Sequence, residues 1–300
     1  MNAEIEFQGG KITQPGIYRG VPMEAYHGAL CAGPSISSSG LRAIENKSPL
    51  HYWASSYLNP DRPEEEDKPH FELGRAVHTL LLSEQGFNDQ FVTSPFPDYR
   101  TKEARQWRDD TRAGGKSIIT EKQKADILGM ADRLMGDTVA LDLLRGRVER
   151  SIVWQDPATQ AWVKARPDAL PADSIIADLK TCSDASEVKV SRSIMDFGYL
   201  QQMALAIEGM KRVGGGKIDE AVLLFIETTY PYGYNIKPLD QGDVYLAMRQ
   251  NRRALDTFAA CLAAGDWPTY PTSTFTFSAP LWWSKRLNDD PALPENREAA

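Results

Sequence analysis

The sequence has few cysteines, no long apolar run and no excess of positive charge. Its three cysteines, Cys31, Cys182 and Cys261, lie far apart and form no Cys-x-x-Cys pair, which argues against a zinc ribbon and an iron–sulfur cluster. No apolar stretch approaches the roughly 20 residues that cross a bilayer. The first ten residues lack the basic start and apolar centre of a secretory signal. We therefore expect a cytoplasmic protein with no membrane partner.

The charge balance limits which partners the chain can have. With a net charge of −7 over 300 residues, broad non-specific coating of nucleic acid is disfavoured. An enzyme whose basic groups line one channel is still compatible with an acidic outer surface. Two stretches supply local positive charge, one with Arg100, Lys102, Arg105 and Arg108 and the other with Lys164 and Arg166. For each stretch, a solvated surface and a channel lining remain open alternatives.

Strand-like and helix-like segments alternate along the chain, which predicts an α/β (α+β) fold. A largely irregular segment with short helices is expected over residues 1–70, and a tail over 271–300. The expected helices are 71–82, 121–144, 193–212 and 239–264. The expected strands are the hairpin 149–154 with 161–166, then 175–180, 221–227 and 234–239.

Two aspartates and a lysine follow two of these strands. Pro167 stops the first strand and Asp168 follows it, whereas Asp178 and Lys180 end the next. Because side chains alternate along a strand, Asp178 and Lys180 share one face and Leu179 points into the core. Two carboxylates and a lysine at one edge of a sheet can hold a hard divalent cation and position a water, which suits phosphodiester hydrolysis.

The acid-x-Lys pattern alone is weak, because it occurs four times, starting at Glu45, Glu66, Asp178 and Glu187. Only the occurrence at Asp178 follows an apolar, β-favouring run and has a second acid at a strand end upstream. The helix over 71–82 adds His78, which is either a hydrogen-bonded core histidine or a metal ligand brought to the acids.

Four sequence blocks, taken in order, resemble the PD-(D/E)xK nuclease superfamily, and within it the phage and prophage exodeoxyribonuclease VIII (RecE-type) nucleases. The blocks are residues 35–41 with 48–53, the Gly-x-x-x-His at 74–78, 165–170 with 177–181, and 197–202. Each block alone is weak evidence for this superfamily, but the four blocks in this order are specific to it. The resemblance implies a restriction-endonuclease-like core over 71–270, a central mixed sheet flanked by helices, with 1–70 as a helical extension of the same domain.

The resemblance also implies a role for each site residue. Asp168 and Asp178 would bind Mg²⁺ or Mn²⁺, together with His78 and the backbone carbonyl of Leu179. Lys180 would serve the attacking water, and Gln202 would steady the lysine or contact DNA. The further DNA contacts expected from the same blocks are Arg75, Lys164, Arg166, Tyr199 and Gln201.

The chain departs from the related helicase–nuclease group at the glutamines. The related helicase–nuclease group carries Gln-x-x-x-Tyr, whereas Leu205 and Ala206 stand four residues after Gln201 and Gln202.

The resemblance implies a Mg²⁺-dependent 5′→3′ exonuclease that acts on double-stranded DNA ends in phage-type recombination, in the cytoplasm of a bacterial host cell. It also implies a RecT-like single-strand annealing partner and a homo-oligomeric ring. The alternatives are an endonuclease or single-strand nuclease of the same superfamily, and an inactive DNA-binding member of the fold.

Overall fold

The computed structural model describes residues 4–63, 69–82, 84–170, 174–270 and 276–289. Its strands are β1 (Ile5–Glu6), β2 (Gly16–Arg19), β3 (Ser35–Ser37), β4 (Phe91–Thr93), β5 (Ser117–Ile119), β6 (Arg147–Val148), β7 (Ser151–Gln155), β8 (Trp162–Ala165), β9 (Ala169–Leu170), β10 (Ile175–Cys182), β11 (Glu220–Glu227) and β12 (Tyr234–Pro238). Its helices are α1 (Met23–His27), α2 (Ser38–Asn46), α3 (Pro49–Ser55), α4 (Pro69–Leu82), α5 (Glu84–Gln90), α6 (Lys102–Ala113), α7 (Glu121–Met135), α8 (Thr138–Leu144), α9 (Glu187–Asp196), α10 (Tyr199–Arg212), α11 (Gln241–Ala264) and α12 (Leu281–Asn288).

Two five-stranded mixed sheets carry the fold. The first has the order β1-β2-β7-β8-β3 and the second β12-β11-β10-β9-β6, and β4 pairs with β5 separately. In the second sheet β10 and β11 run parallel and pair along all eight residues of each strand. The expected mixed α/β fold with flanking helices is confirmed. The expected β7–β8 hairpin forms, but it belongs to a different sheet from β10.

Both faces of the β10–β11 pair are buried, which explains the continuous apolar run of β11. On one face, Ile176 and Phe225 pack with residues of α10 and α11. On the other, Leu179 and Leu224 pack with residues of α4, α7 and α8. Side-chain alternation therefore places Asp178 on the α10 face of the sheet.

The N-terminal segment is built into the first sheet. β2 pairs with β7, and β3 pairs with β8. By contacts the chain divides into a unit of residues 1–269 and a second of 270–300, which contains α12. Among the described residues, every helix is too short or too polar to pass through a bilayer.

Two expected helices are each divided in two. The helix expected over 121–144 is α7 and α8, because Gly136 ends α7 and the Asp137 carboxylate caps α8 by accepting from the Val139 and Ala140 amides. The helix expected over 193–212 is interrupted at Gly198, which adopts φ 64° directly before α10. Glycine adopts this left-handed conformation without steric cost, so α10 starts in a new direction.

Candidate active site

Asp168 lies where the chain passes from the first sheet to the second. β8 ends at Ala165, and Pro167, which has no N–H to donate, separates it from β9. The Asp168 carbonyl accepts from the Glu149 amide at 2.9 Å. Its carboxylate accepts from the Leu179 amide, with 2.7 Å between Oδ2 and N. Asp168 is thus fixed beside β10, as the sequence pattern predicts.

Asp178 and Lys180 extend from the middle of β10. Asp178 is 1% exposed, and its Oδ2 forms an ion pair with Lys180 Nζ. The other oxygen, Oδ1, accepts from Gln202 Nε2 at 2.9 Å. The Gln202 Oε1 in turn accepts from Lys180 Nζ at 3.2 Å. Gln202 therefore bridges the acid and the lysine, which places it at the site expected from the sequence.

The first turn of α10 completes the surroundings of the lysine. Tyr199 lies under Lys180, with Nζ 4.6 Å from the ring centroid, which is a cation–π geometry. Gln202 is one turn further along the same helix. The Asp178 carboxylate, the Gln202 side-chain amide and the Tyr199 ring contact the ammonium group of Lys180 from three sides and fix its position.

His78 approaches the acids from α4, on the other face of the sheet. Its Nδ1 is 3.3 Å from Asp168 Oδ2, and a quarter of its side chain is exposed. Burial alone would lower the pKa of His78, but the neighbouring Asp168 carboxylate outweighs burial and the pKa is raised. Of the two sequence-based alternatives, this position puts the ring at the site and not in the core.

The two aspartates are electrostatically unlike. Burial and the nearby Asp168 charge raise the pKa of Asp178 to about 6. Burial also acts on Asp168, but His78, Lys180 and the Leu179 amide hold the pKa of that carboxyl below its usual value. A buried and a half-buried carboxylate that repel each other form a site which gains from an added cation.

The donor set fits a hard divalent cation. Among the described residues, no three His, Cys, Asp or Glu side chains already converge as a metal cage. Asp178 Oδ2, however, is buried, and its one recorded partner among the described residues is the Lys180 ammonium, so the oxygen keeps lone-pair capacity for a cation beside Asp168. In a strand the N–H and C=O of one residue point to the same side, so the Leu179 carbonyl faces Asp168 as its amide does. Carboxylate and carbonyl oxygens are the donors that Mg²⁺ and Mn²⁺ prefer.

A cleft of about 2060 Å³ opens over these residues. The described residues that line it include six lysines and arginines and four acids, two of the acids being Asp168 and Asp178. The cations are Lys11, Arg42, Arg62, Arg75, Arg166 and Lys180. Away from its two central acids, the wall of the cleft is therefore basic in a chain that is acidic as a whole.

Three of the five expected DNA contacts line this cleft. Arg75 is exposed there, and Tyr199 lies under Lys180. Arg166 is partly occupied within the protein, because its guanidinium donates to Ser151 Oγ and to the Val21 carbonyl and lies 4.4 Å from the Tyr26 ring centroid. Of these three residues, Arg75 is exposed, whereas Arg166 and Tyr199 are half-buried.

The other two expected DNA contacts are buried, so their placement corrects the sequence-based expectation. Lys164 is 2% exposed, and its ammonium donates to the Tyr26 and Gly28 carbonyls. Gln201 is also 2% exposed and lies inside α10, and its Nε2 has no hydrogen-bond partner among the described residues. Successive residues of an α-helix are rotated by about 100°, so Gln202 faces the site and Gln201 faces the protein interior.

Sequence reasoning missed Arg42. This residue of α2 lines the cleft and donates from Nη1 to the Phe197 carbonyl at 2.5 Å. Burial lowers the pKa of Arg42, opposed by the nearby Tyr199 and Asp178. Arg42 directly follows the block at 35–41, but its partner is 155 residues away, so no local pattern reveals the contact.

A family of proteins described as "PDDEXK-like domain of unknown function (DUF3799)" matches residues 37–274. The match covers most of the chain and all of the site residues above. The chain belongs to the DUF3799 family. The PD-(D/E)xK superfamily expected from the sequence blocks is thereby confirmed, and the family supports a nuclease. A comparison with curated protein sequences found no significant match.

Two solved structures are similar to the DUF3799 chain to different degrees. A candidate exonuclease from Eubacterium rectale has 12% sequence identity, with 85% of this chain and 94% of that chain covered and a TM-score of 0.57. The alkaline exonuclease LHK-Exo from Laribacter hongkongensis has 17% identity, with 61% and 95% covered and a TM-score of 0.26. The first of these similarities establishes a shared fold for the DUF3799 chain.

Proposed function

We propose that this DUF3799 chain is a metal-dependent deoxyribonuclease, and that it degrades linear double-stranded DNA as a 5′→3′ exonuclease. One observation supports the proposed hydrolase activity. Four side chains lie close together in the lining of a basic cleft, namely Asp168, Asp178, Lys180 and His78. An acidic cleft would repel the phosphodiester backbone of DNA, whereas this basic cleft attracts it.

Each residue has a task in that reaction. Asp168 and Asp178, together with His78 and the Leu179 carbonyl, would hold Mg²⁺ or Mn²⁺. A divalent cation bound there supplies a water of lowered pKa and offsets negative charge on the phosphate. Lys180 carries a fixed ammonium that orients the water and stabilises charge that grows on the phosphate oxygens. Gln202 and Tyr199 hold that ammonium in place.

The finer assignments rest on the resemblance to RecE-type nucleases. From it we propose action at DNA ends, phage-type recombination as the process and a homo-oligomeric ring as the assembly. A RecT-like single-strand annealing protein would receive the single strand that 5′→3′ digestion leaves. Each of these assignments can fail while hydrolysis itself holds.

Digestion of end-labelled linear duplex by wild type, Asp178→Asn and Asp142→Asn tests the proposal. Asp142 is an exposed carboxylate on α8, so its variant controls for the loss of one acid. Wild type and Asp142→Asn should release 5′-labelled nucleotides early in the presence of Mg²⁺, and Asp178→Asn should be at least 1000-fold slower, since removing a metal-binding acid removes most of the catalysis. Covalently closed circular duplex should stay intact.

Other outcomes identify the alternatives. Cleavage of the closed circle would show an endonuclease, and digestion of single strands alone would show a single-strand nuclease. If DNA is bound but every substrate stays intact with Mg²⁺ and with Mn²⁺, the chain is an inactive DNA-binding member of the fold.

Metal binding can be tested without activity. Mn²⁺ should raise the unfolding temperature of wild type and of Asp142→Asn, because a ligand that binds only the folded state stabilises it. The same titration should leave Asp178→Asn unchanged. An equal shift in all three proteins would contradict the assignment of this metal site.

A further inference from the structure

A basic helix outside the active site has no role in the proposed chemistry. Helix α6 and its flanks, residues 94–118, contain six lysines and arginines and four acids, an excess of positive charge in a chain of net charge −7. The segment joins β4 to β5, which pair only with each other among the described strands. It is therefore an appendage on the nuclease core, with a charge opposite to that of the whole chain.

The charges of α6 are largely sorted by face, with one exception: Asp109 projects between Lys102 and Arg105 and pairs with Arg108. Each residue of an α-helix advances by about 100°, so Arg105 and Arg112, seven residues apart, lie two turns apart on one face with Lys102 beside them. The acids Glu103 and Asp110 have the same spacing on the opposite face. These three cations and two acids are all exposed. The result is a positive stripe about 15 Å long from Lys102 to Arg112.

The positive charges of the stripe are not neutralised by ion pairs. In the described part of the chain, Lys102, Arg105, Arg112 and the following Lys116 have no carboxylate within ion-pair distance, whereas Arg108 pairs with Asp109. The inner face of α6 holds the helix in place: Ala104 is buried and Trp107 packs edge-on against Phe96. A rigid helix thus presents cations whose charge is available to a ligand.

The end of the appendage adjoins the cleft. Arg75 lines the cleft one turn before His78, donates to Ser117 Oγ at the start of β5, and stacks over the Phe91 ring of β4. Ser117 directly follows Lys116 and the C-terminal end of α6. The positive lining of the cleft therefore continues through Arg75 and Lys116 onto Arg112.

We infer that the α6 stripe, meaning Lys102, Arg105, Arg112 and Lys116, is a second DNA-binding surface that holds the phosphate backbone of the duplex outside the active site. The inference rests on the proposed function, since it assumes a DNA substrate. Duplex DNA fits because it is a continuous line of negative charge longer than the stripe. Such contacts position a duplex and carry no sequence preference.

The test compares two double variants that each remove two positive charges. Arg105→Gln/Arg112→Gln removes the two arginines of the stripe, and Lys211→Gln/Lys217→Gln removes two exposed lysines, one in the last turn of α10 and one just after the helix. Fluorescence anisotropy with a labelled 30-base-pair duplex in EDTA gives affinity against salt concentration. Each lost phosphate contact should reduce the slope of log K against log salt by about 0.9, so two contacts are worth roughly 60-fold in affinity at 0.1 M salt.

The outcomes separate this inference from the proposed function. A weaker, less salt-dependent affinity for Arg105→Gln/Arg112→Gln, with the lysine control like wild type, supports the stripe, provided that thermal unfolding shows all three proteins folded. If wild type binds and digests duplex and both double variants match it, the stripe is not a DNA surface while the nuclease stands. If wild type neither binds nor digests any DNA, both proposals fall.

Discussion

Gly198 is the position at which the structure makes its sharpest prediction. The residue has φ 64° and precedes α10, whose first turn carries Tyr199 and Gln202. A Cβ added there would lie 2.8 Å from Gln201 Oε1 and 2.9 Å from Arg42 Cδ. Arg42 cannot move aside freely, because its guanidinium donates to the Phe197 carbonyl. Gly198→Ala should therefore disturb both the backbone and the site.

A matched glycine separates the two effects. Gly265 ends α11 with φ 66°, and no heavy atom of the described residues lies within 4 Å of an added Cβ. Gly265→Ala should cost about 1–2 kcal/mol of folding free energy, the strain of a left-handed alanine. Gly198→Ala incurs the same strain and a further 1–3 kcal/mol or so from overpacking, so we expect a total of about 2–5 kcal/mol.

Urea unfolding measures the loss of stability, and initial rates of duplex digestion measure the effect on the site. Gly198→Ala should also lower kcat roughly tenfold, since small shifts of groups at a reacting centre are costly. Gly265→Ala should retain the wild-type rate. Equal loss of stability in the two variants, with equal rates, would refute the argument that Gly198 permits a close approach and sets the direction of α10.

Three further predictions concern the paired glutamines Gln201 and Gln202, the Tyr199 ring and the buried Lys164. Gln202→Met should lower kcat about 10- to 100-fold, as it removes both hydrogen bonds that fix Asp178 and Lys180. Gln201→Met should keep the rate and change stability by less than about 1 kcal/mol, because it deletes a buried Nε2 that has no hydrogen-bond partner among the described residues. The reverse order in a digestion assay would contradict the geometry. Tyr199→Phe should retain the rate and Tyr199→Ala should lower it about tenfold, since the ring and not the hydroxyl contacts Lys180. Burial depresses the pKa of Lys164 to about 8 from 10.5, so between these pH values the unfolded chain binds more protons than the folded one and stability rises with pH. Relative to Lys164→Met, wild type should therefore gain up to about 1.4 kcal/mol per pH unit from pH 8 to 10 and stay constant below; a flat difference would mean that the ammonium is not buried.

The residues of the candidate site could be predicted from local sequence. The proline before Asp168 and the apolar run before Asp178 are short-range features, and alternation along one strand assigns Lys180 to the same face as Asp178. The position of His78 on a helix was equally readable, although only its 3.3 Å approach to Asp168 decided between a core histidine and a site residue.

Long-range packing decided what the sequence left open. The exposure of a lysine depends on what covers it, and Lys164 is covered by carbonyls of α1, 136 to 138 residues earlier in the chain. Arg42 is brought to Phe197 across 155 residues, and the division into two sheets depends on which strands pair. Thus the sequence by itself determined which chemistry the chain carries, because strand alternation and proline act on neighbours. Only the tertiary structure decided which charged groups face the cleft, because burial is created by parts of the chain that meet on folding.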